Sequence, residues 1–183
     1  KPIIGEYELC QRQGIGNYSV AGFAPSNYNW EVIQLPFTGQ GNSNIGINLD
    51  TFGSFTIRVK ETTEFGCAGP WNDTNIVIHP KPRTTPILGP DVVCFPNYEN
   101  RRYQVSGFSG SVFNWNIIEG NFFGKTDTNV VFADWNGNPN GKISVQEISE
   151  FGCVGNLLSI DVFKDNPSIE AENLTVNPPP NSD

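Results

Sequence analysis

The chain contains the same sequence pattern twice, displaced by about 85 residues. Residues 18–30 match residues 103–115 at seven of thirteen gap-free positions. Residues 57–69 match residues 143–155 at eight of thirteen. Self-similarity of this length in a chain of 183 residues indicates two consecutive copies of one small domain. The fold must therefore be one that about 80 residues can complete and that can be repeated along a chain.

Prolines mark the boundary between the two copies. Three of the seven residues from 80 to 86 are proline, which favours a stiff, extended connection. The predicted organisation is one domain over residues 1–82, a second domain over residues 83–166, and a proline-rich tail or linker over residues 167–183. A chain that begins at Lys1 without methionine is expected to be a mature or excised piece of a longer protein.

The secondary-structure signal is that of short strands. Apolar residues alternate with polar ones in runs such as residues 55–59 and residues 143–145, as a strand with one buried face requires. Glycine (19 residues) and proline (14 residues) interrupt the chain too often for long helices. Roughly seven strands per copy, separated by turn residues, predict an all-β chain of two tandem immunoglobulin-like β-sandwiches.

Two cysteines lie at equivalent positions in each copy: Cys10 and Cys67 in the first, Cys94 and Cys153 in the second. Four cysteines allow three pairings. The repeat favours Cys10–Cys67 and Cys94–Cys153, because each copy would then be a self-contained, disulfide-bonded unit. The other interpretation, a metal site formed by four thiolates, lacks the close Cys-x-x-Cys spacing of such sites. We therefore predict disulfides, no metal and no cofactor, and an oxidising location that is secreted or at the cell surface.

The charge pattern excludes two classes of partner. The net charge is −8, only 16% of residues are charged, and the sequence has no basic stripe. Such a chain is a poor ligand for nucleic acid or for an anionic membrane. The sequence also has no apolar stretch long enough to span a bilayer. We predict no nucleic-acid partner and no membrane insertion.

The sequence offers little for catalysis. The single histidine, His79, lies at the proline-rich connection, and neither a Ser-His-Asp nor a Cys-His arrangement suggests itself. A carboxylate pair for glycoside hydrolysis stays open, since aspartates and glutamates are scattered along the chain. We predict that the chain is not an enzyme.

Four tryptophans divide into two classes. Trp30 and Trp115 occupy equivalent positions on alternating strands and are predicted to be core residues. Trp71 and Trp135 are not shared by the copies and are the candidate binding residues, since an exposed indole can anchor a sugar ring or a partner surface. The alternative is that both pack on neighbouring strands. The oxygen-rich residues 134–140 resemble a calcium loop, but a hairpin turn explains them more simply.

The repeated pattern Pro-Ile-x-Gly, Cys, Tyr-x-Val-x-Gly and Trp, followed by the turn Phe-Gly-Cys-x-Gly, resembles the PKD-like, immunoglobulin-like repeats of Bacteroidetes surface proteins. Such repeats occur in gliding-motility adhesins and in other cargo of the type IX secretion system. The resemblance implies that the early cysteine of each copy pairs with the cysteine of its Phe-Gly-Cys turn. The Trp-Asp-Phe-Gly-Asp-Gly motif that is associated with the PKD name is absent, so the similarity is to the divergent bacterial branch.

The expected function is that of a non-enzymatic spacer or adhesive repeat segment of a large secreted or cell-surface protein. Its expected partners are other domains of the same parent protein, and surface glycans or the secretion machinery. The alternative is a carbohydrate-binding accessory module of a secreted hydrolase, in which Trp71 and Trp135 would contact the sugar.

Overall fold

A computed structural model describes residues 1–94, 96–136 and 140–165. Within these ranges all regular secondary structure is β-strand, which confirms the all-β prediction. No helix in the described part of the chain is long and apolar enough to cross a membrane. The predicted tail, residues 167–183, lies outside the described residues.

The first copy contains eight strands in two sheets. The strands are β1 (Ile3–Ile4), β2 (Glu8–Cys10), β3 (Ile15–Val20), β4 (Ser26–Val32), β5 (Phe37–Thr38), β6 (Asn44–Asn48), β7 (Gly53–Thr63) and β8 (Asn72–His79). One sheet has the order β1-β3-β6-β5 and the other β2-β8-β7-β4. The pairing of β2 with β8 is parallel and places Cys10 opposite His79.

The second copy repeats this arrangement with seven strands. They are β9 (Val92–Cys94), β10 (Arg101–Gln104), β11 (Val112–Ile118), β12 (Gly120–Phe123), β13 (Val130–Trp135), β14 (Gly141–Ile148) and β15 (Val154–Asp165). The sheets have the orders β10-β13-β12 and β11-β14-β15-β9. Strand β9 pairs in parallel with β15 and places Cys94 opposite Asp165.

Each copy has its own hydrophobic core between its two sheets. Alternation along β7 buries Phe55, Ile57 and Val59 in the first core, where the predicted core residue Trp30 is also buried. Trp115 packs partly buried against the second core. The chain is thus two β-sandwiches of immunoglobulin type in tandem, as predicted. The domain limits 1–82 and 83–166 remain predictions.

In each copy, the hydroxyl of a buried tyrosine forms a hydrogen bond with the backbone of the first segment. The Tyr18 hydroxyl donates to the backbone oxygen of Glu6 (2.6 Å), and the Tyr103 hydroxyl donates to that of Pro90 (2.8 Å). Burial is the main cause that raises the pKa of each tyrosine to about 12. A Cβ on Gly89 would lie 2.2 Å from the Tyr103 ring, so the glycine at this position leaves room for the ring.

The disulfide differs from the prediction. The bridge joins Cys10 of the first copy to Cys153 of the second, with the Cα atoms 5.4 Å apart, while Cys67 and Cys94 are free and exposed. The pairings Cys10–Cys67 and Cys94–Cys153 are therefore wrong, including as implied by the family resemblance.

Strand geometry explains the correction. Cys10 lies opposite the last residue of β8, whereas Cys67 lies in the turn that precedes β8. The eight residues of β8 span roughly 25 Å, and a disulfide needs Cα atoms within about 7 Å. In the second copy β15 separates Cys94 from Cys153 in the same way. The two cysteines of one copy thus lie at opposite ends of it, and only neighbouring copies bring one of each kind together.

Candidate functional site at the joint between the copies

Trp135 is a core residue. Its side chain is 5% exposed, its indole N–H donates to the Tyr103 hydroxyl (3.1 Å), and the two rings meet edge to face at 6.0 Å. It is the last inward-facing residue of β13, after Val131 and Ala133. The prediction that Trp135 is a binding residue is therefore wrong.

Trp71 lies at the surface, 36% exposed. The Arg58 guanidinium and the Lys60 ammonium lie 4.7 Å and 5.0 Å from its ring centroid. Trp71 and Phe23, the latter 70% exposed, both line one cavity of about 380 Å³. The position is accessible to a ligand, and binding by Trp71 remains a prediction.

The residues 134–140 include the undescribed positions 137–139, so the calcium-like pattern lies partly outside the described structure. At its edges, an Asp134 carboxylate oxygen accepts from the backbone N–H of Asn100, and the Asn140 side-chain oxygen accepts from that of Lys164. The described residues contain no group of three or more metal-ligating side chains.

The candidate functional site is the joint between the copies. The Cys10–Cys153 disulfide links the two copies covalently there. Both cysteines are buried, Cys153 completely. Three hydrogen bonds close the turn that carries Cys153. They run from the Ser149 N–H to the Cys153 oxygen (3.0 Å), from the Gly152 N–H to the Ser149 oxygen (2.9 Å) and from the Cys153 N–H to the Ser149 hydroxyl (3.1 Å). Gly152 in this turn has φ 78°, a conformation that suits glycine. The turn therefore presents the sulfur in a fixed position.

An aromatic pair lies beside the bridge. The His79 ring at the end of β8 stacks on the Phe151 ring of the second copy, with centroids 3.8 Å apart and an interplanar angle of 9°. The His79 Nε2 atom also contacts the Glu8 carboxylate. The single histidine thus contributes to the joint through its ring stack and its contact with Glu8.

The linker, residues 80–86, packs against the second copy. Pro82 is buried, and a Cβ on Gly155 would lie 3.3 Å from the Pro82 Cβ and 3.5 Å from the Thr84 hydroxyl. The absence of a side chain at Gly155 allows the linker to approach the β14–β15 hairpin closely. The Thr85 N–H donates to the Ser106 oxygen (2.9 Å), which adds a backbone contact.

A buried carboxylate connects the linker to the second copy. Glu147 is fully buried and accepts hydrogen bonds from the Thr84 hydroxyl (2.6 Å), the Phe108 N–H (2.6 Å) and the Ser111 hydroxyl (2.7 Å). A buried acidic group is tolerated only when such donors satisfy it. Because one of the three donors belongs to the linker, seating the linker helps to satisfy this carboxylate.

No family model and no curated protein matches the sequence. Solved structures match in fold. They include invasin, a bacterial integrin-binding protein, at 10% identity over 89% of this chain and 38% of that chain, with a TM-score of 0.55. Fibronectin(III)-like modules of CbhA from Clostridium thermocellum match at 11% identity over 90% of this chain and 94% of that one, with a TM-score of 0.44. At such identities the similarity to invasin shows the fold alone.

Proposed function

We propose that this chain is a non-enzymatic spacer or adhesive segment of a larger secreted or cell-surface protein. The observation that supports the proposal best is the bridge between the two copies, whose cysteines are 143 residues apart in sequence. A bridge inside one domain stabilises that domain only, whereas a bridge between domains also restricts their relative movement. Stable disulfides belong to oxidising compartments, which supports an extracellular location.

The joint has the contacts that a rigid connection between domains needs. The bridge, the His79–Phe151 stack and the packed linker act at the same place, so bending requires several contacts to break together. Inter-domain contacts without such fastening normally permit hinge motion. The segment would therefore hold whatever it carries at a set distance and orientation.

We further propose that the parent protein is of the kind that the sequence resembles, a Bacteroidetes surface adhesin or a related type IX secretion cargo. The doubled Phe-Gly-Cys-x-Gly turn and the immunoglobulin-like sandwiches support this assignment. The disulfide between copies departs from the pairing implied by the resemblance. The resemblance therefore supports the architecture and not the pairing.

Small-angle X-ray scattering on the full chain tests the spacer function. We expect the scattering of the oxidised protein to fit a narrow distribution of radii of gyration. The Cys10→Ser, Cys153→Ser double variant should need a broader distribution. The Cys67→Ser, Cys94→Ser double variant, which leaves the bridge intact, should behave as the parent protein. Identical broad ensembles for all three proteins would refute the proposal that the bridge fixes the joint.

Carbohydrate binding is the second candidate function, favoured by the exposed pair Trp71 and Phe23 beside one cavity. Affinity electrophoresis through gels that contain soluble polysaccharides would test it. Retention that Trp71→Ala abolishes and Phe52→Ala leaves unchanged would support this function, since Phe52 is also exposed but does not line that cavity. Equal mobility with and without every polysaccharide tested would exclude it for those sugars.

A further inference from the structure

The half of the joint that belongs to the second copy is present again on the first copy. Four residues of the second copy form this half: Glu147, Phe151, Cys153 and Gly155. The repeat gives each of them an identical counterpart, which together we call the receiving face: Glu61, Phe65, Cys67 and Gly69. In the second copy these positions contact the first copy or the linker.

Three of the four residues of the receiving face, Phe65, Cys67 and Gly69, are exposed in the described part of the chain. Cys67 is an exposed free thiol, and Phe65 is 85% exposed where its counterpart Phe151 is stacked on His79. A Cβ on Gly69 would meet only the Glu61 backbone oxygen, at 3.7 Å, whereas one on Gly155 meets the linker. The cavity of about 380 Å³ described above is lined by Glu61 and Gly69 and opens at this place.

The local geometry of the receiving face is already that of the occupied joint. The Phe23 N–H donates to Glu61 (2.8 Å) as the Phe108 N–H donates to Glu147 (2.6 Å). This hydrogen bond is the largest cause that lowers the pKa of Glu61, so the carboxylate is held in its charged, accepting form. The Cys67 turn is closed by a hydrogen bond from the Thr63 N–H to the Cys67 oxygen (3.0 Å), the same contact that closes the Cys153 turn.

The cysteine and the strand register of the other half of the joint recur at the far end of the second copy. Cys94 lies opposite Asp165 in the parallel pair β9–β15, as Cys10 lies opposite His79 in β2–β8. Cys94 is also an exposed free thiol. We call Cys94 and Asp165 the trailing end. The described residues thus contain one completed joint and, at opposite ends, two free thiols in the positions that the joint bridges.

We propose that the receiving face binds the trailing end of another copy of this repeat, head to tail, and that a disulfide between Cys67 and the other copy's Cys94 closes the contact. This inference rests on the spacer function proposed above. The contact is heterologous and does not close on itself, so it generates a linear array in which each joint reproduces Cys10–Cys153. Asp165 replaces His79 at the trailing end, so the ring stack is absent from this contact, which depends instead on the disulfide and on the cavity lined by Glu61 and Gly69.

The covalent step is an ordinary thiol–disulfide exchange with a small-molecule disulfide as oxidant. The Cys94 thiolate attacks oxidised glutathione, forms a mixed disulfide and releases one glutathione thiol. The Cys67 thiolate of the other copy then attacks the Cys94 sulfur and releases the second. Two protein thiols are oxidised to one disulfide, and one glutathione disulfide is reduced to two thiols.

Two single variants of the full chain test the proposal. Cys67→Ser retains only the trailing-end thiol, and Cys94→Ser retains only that of the receiving face. In a glutathione redox buffer we expect each variant alone to stay monomeric and their mixture to form a dimer, with the heterodimer exceeding either homodimer about tenfold because docking raises the effective thiol concentration. Mass spectrometry of unreduced peptides should identify the Cys67–Cys94 link.

A third variant separates docking from simple thiol exposure. Gly69→Arg, combined with Cys94→Ser, fills the cavity that Gly69 lines and should lower the heterodimer yield about tenfold. The control Phe52→Arg in the same background adds the same charge at an exposed position at the other end of β7, and it should leave the yield unchanged. Circular dichroism would confirm that both variants are folded.

Homodimers that form as readily as heterodimers, or a mixture that stays monomeric, would overturn the inference. Either result leaves the spacer proposal standing, provided that the scattering of the oxidised chain remains narrow. Broad scattering together with efficient Cys67–Cys94 linkage would instead refute the rigid spacer and retain the docking contact.

Discussion

The bridge between the copies predicts how the chain extends under force. If the chain is pulled from its two ends, tension passes through the Cys10–Cys153 bond and bypasses everything between these residues. The bond spans 143 of the 183 residues, which leaves about 40 free to extend. At about 3.5 Å per residue, the oxidised chain can lengthen to roughly 140 Å, and reduction releases roughly 500 Å more.

Single-molecule force spectroscopy on the full chain, with handles at both ends, measures this difference directly. We expect the long unfolding steps to be absent under oxidising conditions and to appear with reductant or in the Cys10→Ser variant. The Cys94→Ser variant is the matched control, because it removes a free thiol and keeps the bridge. Its extension should equal that of the parent chain.

The same measurement distinguishes the possible pairings. Bridges within each copy would bypass only 57 and 59 residues, so the oxidised chain would extend by roughly 100 Å more than the bridge between copies allows. That longer extension, or an oxidised chain that reaches its full length, would refute the reasoning. Repeating the experiment with Cys67→Ser excludes exchange of the bridge during pulling.

Two further predictions concern stability. Glu147→Ala should lower the free energy of unfolding by about 3 kcal/mol, because it leaves buried donors unsatisfied, whereas Glu150→Ala at an exposed position should change it by less than about 0.5 kcal/mol in chemical denaturation. Tyr18 and Tyr103 have pKa values of about 12 in the folded chain against 10.0 ordinarily, so their neutral forms stabilise the fold fully below pH 10 and that stability is lost as pH rises towards 12. Ultraviolet titration of the parent chain against its Tyr18→Phe and Tyr103→Phe variants should assign to each of these two phenols a late ionisation that coincides with alkaline unfolding; ionisation of either phenol near pH 10 in the folded chain would contradict this.

Much of the fold could be predicted from the sequence because the repeat and the strand alternation are local signals. The inward positions of Trp30 and of the β7 residues follow from a period of two. The same rule applied to Val131 and Ala133 would have placed Trp135 in the core. Its absence from the other copy led to the binding prediction instead, although a residue unique to one copy can equally be a local packing solution.

The joint could not be predicted in the same way. Equivalence between copies shows that four cysteines form two classes, but it does not show at which end of a domain each class lies. That depends on the parallel register of β2 with β8, which is a long-range pairing with no local signature. The buried Glu147 was also missed, although its identity with Glu61 in the matched block with more identities was a usable signal that this carboxylate has a structural role.

The parallel registers of β2 and β9 have a consequence for how such a protein can be dissected. Each sandwich folds within one copy, whereas the disulfide joins two copies. Expressing the two sides of the linker as separate chains therefore keeps each sandwich whole but places Cys10 and Cys153 on different chains. A single sandwich expressed alone would therefore display two unpaired sulfurs, one at each pole, however correctly it had folded. A fragment that keeps the native bridge must instead contain both sandwiches, because Cys10 lies near the start of the first copy and Cys153 near the end of the second.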